Sequence, residues 1–367
     1  AILQILIYIG IFSRLAFYKD KAPSSPQSPK NTSFSPQSLP ISVVICARNE
    51  AENLKKYLPL ILNQNYPQFE VIVVNDSSID DTQIILETFA EKYSCLKTIN
   101  TAGLKRDMAG KKFALTKGIE ATQYEHLVFT DADCYPASQD WIAEMVKKFT
   151  KKRQIILGFG PYVCHRGCLN KIIQYETLMT ALQYLSLSLM GLSYMGVGRN
   201  LAYHKSLFLE NKGFENHKDT PSGDDDLFIN EVATSQNTTL TIAPKTFCYS
   251  EPPLGWQTWF AQKKRHLSTG KHYSVSHKLI LGTISASHFL FYGTLIVVLL
   301  SKSFNFIIFL LFTFRLISQF VVLKRVLKKL KVCLSTWQFM VIDALFIFYY
   351  GIFGPTIFSK AQVSWKK

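Results

Sequence analysis

The sequence predicts an α/β domain built on a parallel sheet, followed by helices that cross a membrane. Three observations predict it. Short β-branched apolar runs alternate with amphipathic stretches from Ile41 to Thr130, the pattern of strand–helix–strand units. The polar residues of that region gather directly after the apolar runs. From Leu279 onward the alternation gives way to apolar runs of bilayer length.

Ala1 to Phe12 is apolar but shorter than the ~20 residues a helix needs to span a bilayer. No small-x-small cleavage pattern follows, so residues 1–18 are read as the trailing end of a membrane anchor whose start is missing, in preference to a signal-peptide core. Residues 19–40 carry Pro23, Pro26, Pro29, Pro36 and Pro40 among serines, the composition of an extended linker.

Residues 41–277 are read as the catalytic domain. Ile41–Ala47 is its first strand. Glu50–Asn63 is a helix with Leu54, Tyr57, Leu58 and Ile61 on one face. Phe69–Val74 is a second strand, and Asp80–Lys92 a helix capped by Ser77 or Ser78. Leu96–Ile99, Lys111–Thr122 and His126–Thr130 continue as strand, helix and strand. Such alternation predicts a parallel sheet with helices on both faces. Leu169–Leu192 has helical spacing and fits either a core helix or one lying in the membrane interface.

Residues 278–359 are read as membrane helices and 360–367 as a tail. Leu279–Ser301 contains no Asp, Glu, Lys or Arg. Ser303–Leu323 is interrupted only by Arg315, and Val332–Phe358 by Asp343. Ionisable residues at membrane depth are costly, so both are expected to face protein or a water path. Gly354 and Pro355 leave open that the last run lies in the interface.

Lys and Arg number 41 against 26 Asp and Glu, a net charge of +15. A balance this basic points to nucleic acid or to an anionic membrane surface. No nucleic-acid motif with interleaved aromatics is present. Lys324, Arg325, Lys328, Lys329 and Lys331 follow an apolar run, and Lys263, Lys264 and Arg265 precede another. The charge is therefore read as the cytoplasmic flank of an integral membrane protein with a cytoplasmic catalytic domain and no nucleic-acid partner. The seven cysteines are odd in number and scattered, which argues against a disulfide framework. Cys164 and Cys168 bracket His165, but no second ligand pair follows at metal-binding spacing.

In parallel α/β sheets ligands sit beyond the carboxyl ends of the strands. Arg48-Asn49-Glu50 follows the first strand, Asn75-Asp76-Ser77-Ser78 the second, and Asp131-Ala132-Asp133 the fourth. Asp131 and Asp133 suit a hard divalent cation whose remaining positions take phosphate oxygens; Asp133 or Ser138 could instead cap the following helix. Asp76 can accept a hydrogen bond from a base or ribose. Gly110-Lys111 opens a helix after a basic loop, a phosphate-attracting arrangement that lacks P-loop spacing. Ser222-Gly223-Asp224-Asp225-Asp226 places three acids together, where each raises the others' pKa, as suits a general base. The same acids also suit a helix start. Gln262, Lys263, Lys264, Arg265 and His266 follow Trp256 and Trp259, a group able to hold a diphosphate and a sugar ring or to serve as a membrane flank.

In this order the residues resemble the inverting glycosyltransferase family 2, with its Rossmann-like GT-A fold, from about Pro40 to His266. The matching segments are Ala47-Arg48-Asn49-Glu50, Val74 to Ser78 with Asp80-Asp81-Thr82, Gly110-Lys111 with Ala114-Leu115, Asp131-Ala132-Asp133 and Gly223 to Leu227. The resemblance implies a nucleotide-diphosphate sugar donor bound by Ala47, Arg48, Asn49, Glu50, Asp76, Ser78, Gly110, Lys111, Asp131 and Ala132. It implies Mg²⁺ or Mn²⁺ on Asp133 and Asp131, and a base at Asp224. Gly223 stands where the family has an acid, which leaves Asp225 as a second candidate base. Gln262-x-x-Arg265-His266 is similar to the Q-x-x-R-W motif of processive synthases, which implies a further donor contact; His266 replaces the Trp and weighs against processive synthesis. A lipid or lipid-linked acceptor at the membrane is the expected partner. The rival readings are a non-catalytic membrane module with this fold, a processive polysaccharide synthase, and a phosphoryl-transfer enzyme.

Overall fold

The computed structural model describes residues 1–20, 39–302 and 305–349. The linker from 21 to 38 and the end of the last apolar run, with Gly354 and Pro355, lie outside the described residues. Along the chain the helices are α1 (Ile2–Phe17), α2 (Ala51–Leu62), α3 (Thr82–Lys92), α4 (Lys112–Glu120), α5 (Trp141–Val146), α6 (Cys168–Leu189), α7 (Lys205–Glu210), α8 (Asp226–Val232), α9 (Trp256–Leu267), α10 (Val275–Leu300), α11 (Phe306–Lys329) and α12 (Thr336–Leu345). The strands are β1 (Ile41–Ala47), β2 (Phe69–Asn75), β3 (Leu96–Asn100), β4 (His126–Asp131), β5 (Cys134–Pro136), β6 (Ile155–Leu157), β7 (Leu201–His204), β8 (Thr238–Leu240) and β9 (Cys248–Ser250).

The chain divides into two units. A helical unit takes Ala1–Lys19, Cys164–Leu192 and the chain from Pro253, and a sheet unit takes Asp20–Val163 and Ser193–Pro252. Residues 164–192 and 253–277, read from sequence as part of one continuous domain, thus pack with the membrane-type helices.

In the sheet unit seven strands lie in the order β3-β2-β1-β4-β7-β6-β8. β1 is buried along its whole length and pairs in parallel with β2 and β4. A strand covered on both faces needs a continuous apolar run, which Ile-Ser-Val-Val-Ile-Cys-Ala nearly supplies. Val43, Ile45, Val71 and Val73 face a core shared with Leu54 and Leu58 of α2 and Trp141 and Met145 of α5. α4 covers the other face, where Gly118 lies against Val44 and Val74. The predicted all-parallel sheet is corrected in its second half: β7 runs antiparallel to both β4 and β6, and β6 pairs in parallel with β8. β6 and β8 are only three residues each, too short for periodicity to register.

The helix cap predicted at Ser77 or Ser78 is also corrected. Ser77 has φ +56°, and it is the Asp80 carboxylate that accepts the Thr82 N–H at 3.1 Å, one residue inside the Asp81 N-cap. Ser138 and Asp133 do not cap the helix after β4; Asp140 stands at the N-cap of α5.

In the helical unit α10 and α11 are long and apolar enough to cross a membrane. Arg315 and Asp343 are both fully buried and pair with each other at 3.2 Å. Asp343 also accepts hydrogen bonds from Tyr175 (2.8 Å), Tyr292 (2.7 Å) and Gln319 (2.8 Å), so α6, α10, α11 and α12 meet at one carboxylate. Gln4 and Tyr8 bring α1 to the same cluster through Arg315 and Gln319. The cysteine spacing, which argues against a disulfide framework, did not reveal one bond: Cys164 and Cys333 are joined, with Cα atoms 6.1 Å apart. Odd number and wide spacing conceal a pair that lies 169 residues apart.

His126 on β4 and His204 on β7 stand opposite each other with ring centroids 4.5 Å apart. Burial lowers the pKa of both, and that of His204 falls to about 4 through burial and its neighbour His126. Such a group binds protons more readily when unfolded, so the stability it supports is intact above about pH 6.5 and is lost as pH falls toward 4. Chemical denaturation followed by tryptophan fluorescence should show a falling midpoint from pH 7 to 5, with a visibly shallower fall in His204→Phe. An equal slope in the variant would remove His204 as the cause.

Candidate functional site

The register sets the site. Cys46 on β1 stands opposite Val74 on β2 and Asp131 on β4, so the carboxyl ends of three strands finish level. The loops that leave those ends are stitched together. Asn49, at φ +54°, donates its N–H to Ser78 Oγ at 2.9 Å, and its side-chain oxygen accepts the Ile79 N–H. The Glu50 N–H reaches Thr82 Oγ1 at 2.9 Å, and the Asp76 N–H reaches the Ala47 carbonyl at 2.7 Å. Asn49 and Ser78, predicted as donor contacts, thus spend their side chains on joining two loops, while Arg48 is half-buried at the same edge.

Asp76 is fully buried. Its Oδ1 accepts from Arg106 at 2.7 Å and from Thr101 at 2.9 Å, whereas its Oδ2 has no partner among the described residues. A buried carboxylate oxygen without a donor is costly and marks a place where a ligand N–H or O–H fits.

Gly110 has φ +65°, and a Cβ there would come within 2.1 Å of the Pro221 carbonyl oxygen. This close approach docks the start of α4 onto the loop that carries the three acids. Lys112 strengthens the dock by donating to the carbonyls of Thr220 (2.5 Å) and Ser222 (2.6 Å). Lys111 turns the other way and pairs with Asp131. Burial works against its charge, yet Asp131 and Asp224 together raise its pKa well above the ordinary lysine value. Lys111, Thr130, Gly198, Tyr203, Asp224 and Asp225 line one small cavity.

The three adjacent acids separate into distinct environments. Asp225 is held by the backbone, its Oδ2 accepting from Gly198 N–H and its Oδ1 from Asp226 N–H, both at 2.7 Å. Burial, then Asp224 and Asp226, push its pKa up to about 8. Asp226 is buried and accepts the Leu227 N–H. Asp224 is half-buried, and its carboxylate takes no hydrogen bond from any described residue.

Asp131, Asp133 and the Cys134 thiol offer ligand atoms within 4.8 Å of one another. Burial first, and then the neighbouring charge of Asp131, raise the pKa of Asp133. A dication between the two carboxylates would offset both effects, so these residues fit a hard metal ion. Cys134 is fully buried and is a poor ligand for such an ion.

Sequence reasoning missed Arg199. Its guanidinium stacks 4.2 Å over the Tyr162 ring and draws the pKa of Asp133 down, while its Nε is buried without a partner among the described residues. It lies where Gly160 leaves room, since a Cβ at Gly160 would meet its side chain at 2.7 Å. The signal available was the pair Gly196 and Gly198 just before it. Arg106 and Tyr203 were missed as well; the Tyr203 hydroxyl is buried beside Asp224 with no partner among the described residues. Gln262, Arg265 and His266 lie on α9 and belong to the helical unit. Trp259 on the same helix is buried and donates to Glu176 at 3.2 Å, a packing role in place of the sugar contact considered from sequence.

Comparison with known proteins places this geometry. The family described as Glycosyl transferase family 2 matches residues 42–210. Glycosyltransferase AglE of Haloferax volcanii is 36% identical over 28% of this chain and 33% of its own length. The beta-monoglucosyldiacylglycerol synthase of a Nostoc species is 33% identical over 32% of this chain and 25% of its own length. The chain therefore spans about a third or less of these relatives. Among solved structures, the mannosyltransferase PcManGT from Pyrobaculum calidifontis, in complex with GDP-Man and Mn²⁺, superposes with a TM-score of 0.56 over 89% of this chain and 94% of that one, at 18% identity. At that identity the likeness establishes a shared α/β GT-A fold.

Gly110→Ala tests the docking of α4. Positive φ and the contact with Pro221 should together cost roughly 2–4 kcal/mol, read as a lower thermal midpoint; a midpoint unchanged within a degree would show that the loop gives way freely.

Proposed function

We propose that this chain, whose residues 42–210 match glycosyl transferase family 2, is a glycosyltransferase that moves a sugar from a nucleoside-diphosphate donor to an acceptor hydroxyl, with inversion at the anomeric carbon. The observation that carries the reading is the contrast between Asp224 and its neighbours. Asp225 and Asp226 are committed to backbone N–H groups, and Asp224 alone of the three has its carboxylate uncommitted among the described residues. Asp224 is the general base, taking the proton from the acceptor hydroxyl as its oxygen attacks the sugar. Asp225 shapes the loop.

The orphaned Oδ2 of Asp76 accepts a hydrogen bond from the nucleotide, with Arg106 and Thr101 holding the carboxylate in place. Arg48 and Glu50 border the same place. Asp133, with Asp131, would hold Mg²⁺ or Mn²⁺, which supplies neutralisation of charge on the departing diphosphate. Lys111 and Arg199 add fixed positive charge beside those carboxylates.

The acceptor is a lipid or lipid-linked glycan at the cytoplasmic leaflet. The apolar α10 and α11 support membrane attachment. Relatives named beta-monoglucosyldiacylglycerol synthase and cholesterol galactosyltransferase support a lipid acceptor.

Full-length protein in detergent, given a panel of nucleotide sugars, Mn²⁺ or Mg²⁺ and a membrane lipid extract, should release nucleoside diphosphate from one donor and stop on addition of EDTA. Release of pyrophosphate would point to nucleotidyl transfer, and no release from a folded preparation would favour a non-catalytic module. Asp224→Asn should lower kcat by ~100-fold or more with donor Kd within about threefold of wild type, the residual being uniform binding. Asp76→Asn should do the reverse, weakening donor binding by roughly tenfold through loss of a charged acceptor. A large loss of donor binding in Asp224→Asn would refute its role as base.

A further inference from the structure

The charge of this protein is concentrated in one unit and, within it, at one end. The described residues of the helical unit hold sixteen Lys and Arg against two acids, Glu176 and Asp343. Both acids are buried and matched by Lys263 and Arg315. Every fully exposed charge on the described helical unit is therefore basic.

The helices align these charges. α1 and α11 run parallel: Gln4 meets Arg315, Tyr8 meets Gln319, and the carbonyls of Leu15 and Ala16 accept from Lys329 at 2.9 and 3.0 Å. α10 joins α11 through a short connection at the far end and runs back beside it, with Phe291 packed on Phe312 at 4.7 Å. On α11 the exposed side chains are apolar as far as Val321 and then become Lys324, Arg325 and Lys328, with Lys331 exposed just past its end. On α1 they are apolar at Ile2, Leu3, Leu6 and Ile9 and then become Arg14, with Phe17 exposed at its end and Lys19 exposed just beyond. The two changeovers fall at one level, and Arg325 lies 4.3 Å over the Phe17 ring where they meet. Lys278, near the start of α10, adds to the same end, whereas the connection at the other end carries Lys302.

Lys324, Arg325 and Lys328 are one and three residues apart and share one face of the last turns of α11, and Lys331 follows just past the helix end, at φ +51°. We propose that this face binds the phosphate groups of anionic membrane lipids, with Phe17 and Val321 in the acyl boundary and the four cationic heads at headgroup level. An acidic protein or a nucleic acid would match the charge, but neither accounts for an apolar collar that begins within one helical turn of it. The proposal rests on the membrane reading of α10 and α11 and is independent of sugar transfer.

The full chain, reconstituted in phosphatidylcholine vesicles, is probed with dansyl-phosphatidylglycerol and dansyl-phosphatidylcholine by energy transfer from its tryptophans. The wild type should favour the anionic probe by roughly tenfold at low salt, and the preference should shrink as salt rises. The quadruple variant Lys324→Gln, Arg325→Gln, Lys328→Gln, Lys331→Gln should fall below about a twofold preference, and Lys302→Gln should match wild type. A wild type with no preference, or one insensitive to salt, overturns the proposal without recourse to the variant, as does a quadruple variant that keeps the preference. Alkaline carbonate washing separates this from the underlying reading: protein that stays in the vesicles but ignores headgroup charge sinks the lipid-binding face alone, and protein that washes off sinks membrane insertion.

Discussion

Four carboxylates, Asp131, Asp133, Asp224 and Asp225, converge beyond the carboxyl end of one sheet, and a buried lysine holds them there. Like charges at such spacing repel strongly where water is partly excluded. Lys111 pairs with Asp131 and is drawn on by Asp224, so one cation from the start of α4 serves acids that come from two separate loops. Much else follows from keeping that lysine in position. Gly110 must let the chain turn against Pro221, and Lys112 must bind the carbonyls on either side. Arg199 then compensates Asp133 from the opposite side.

The same balance explains why three consecutive aspartates are not redundant. An acid whose oxygens both accept backbone N–H groups is fixed in direction, and Asp225 is such a group. Asp226 starts a helix. Their confinement frees Asp224 from any structural duty among the described residues and leaves it beside a lysine, a tyrosine hydroxyl and a cavity.

β1, β2 and β4 could be read from the sequence because strands buried on both faces must be apolar throughout, and the polar tips that follow them had no other place to gather. The mixed half of the sheet could not. β6 and β8 are three residues long, and the reversal of β7 depends on where the chain returns after α6, which is a tertiary matter. At the site, Asp76, Lys111, Asp131 and Asp224 were legible because charged residues at strand ends and helix starts are conspicuous. Arg199 was not, because its value comes from the space left by Gly160, some forty residues earlier in the chain. Asn49 and Ser78 were legible as site residues, yet their side chains tie one loop to the next.

The bond between Cys164 and Cys333 lies among exposed residues, two positions from Lys331 and from Arg166. Dithiols in the cytosol are kept reduced, and accessible ones in secretory or periplasmic spaces are oxidised. This cysteine pair is consequently a compass for the whole chain. Alkylation of both sulfurs in intact cells places the basic end of the bundle in the cytosol, and protection of both until a reductant is added places it outside. The orientation that the lysines suggest by statistics, the two sulfurs report by chemistry.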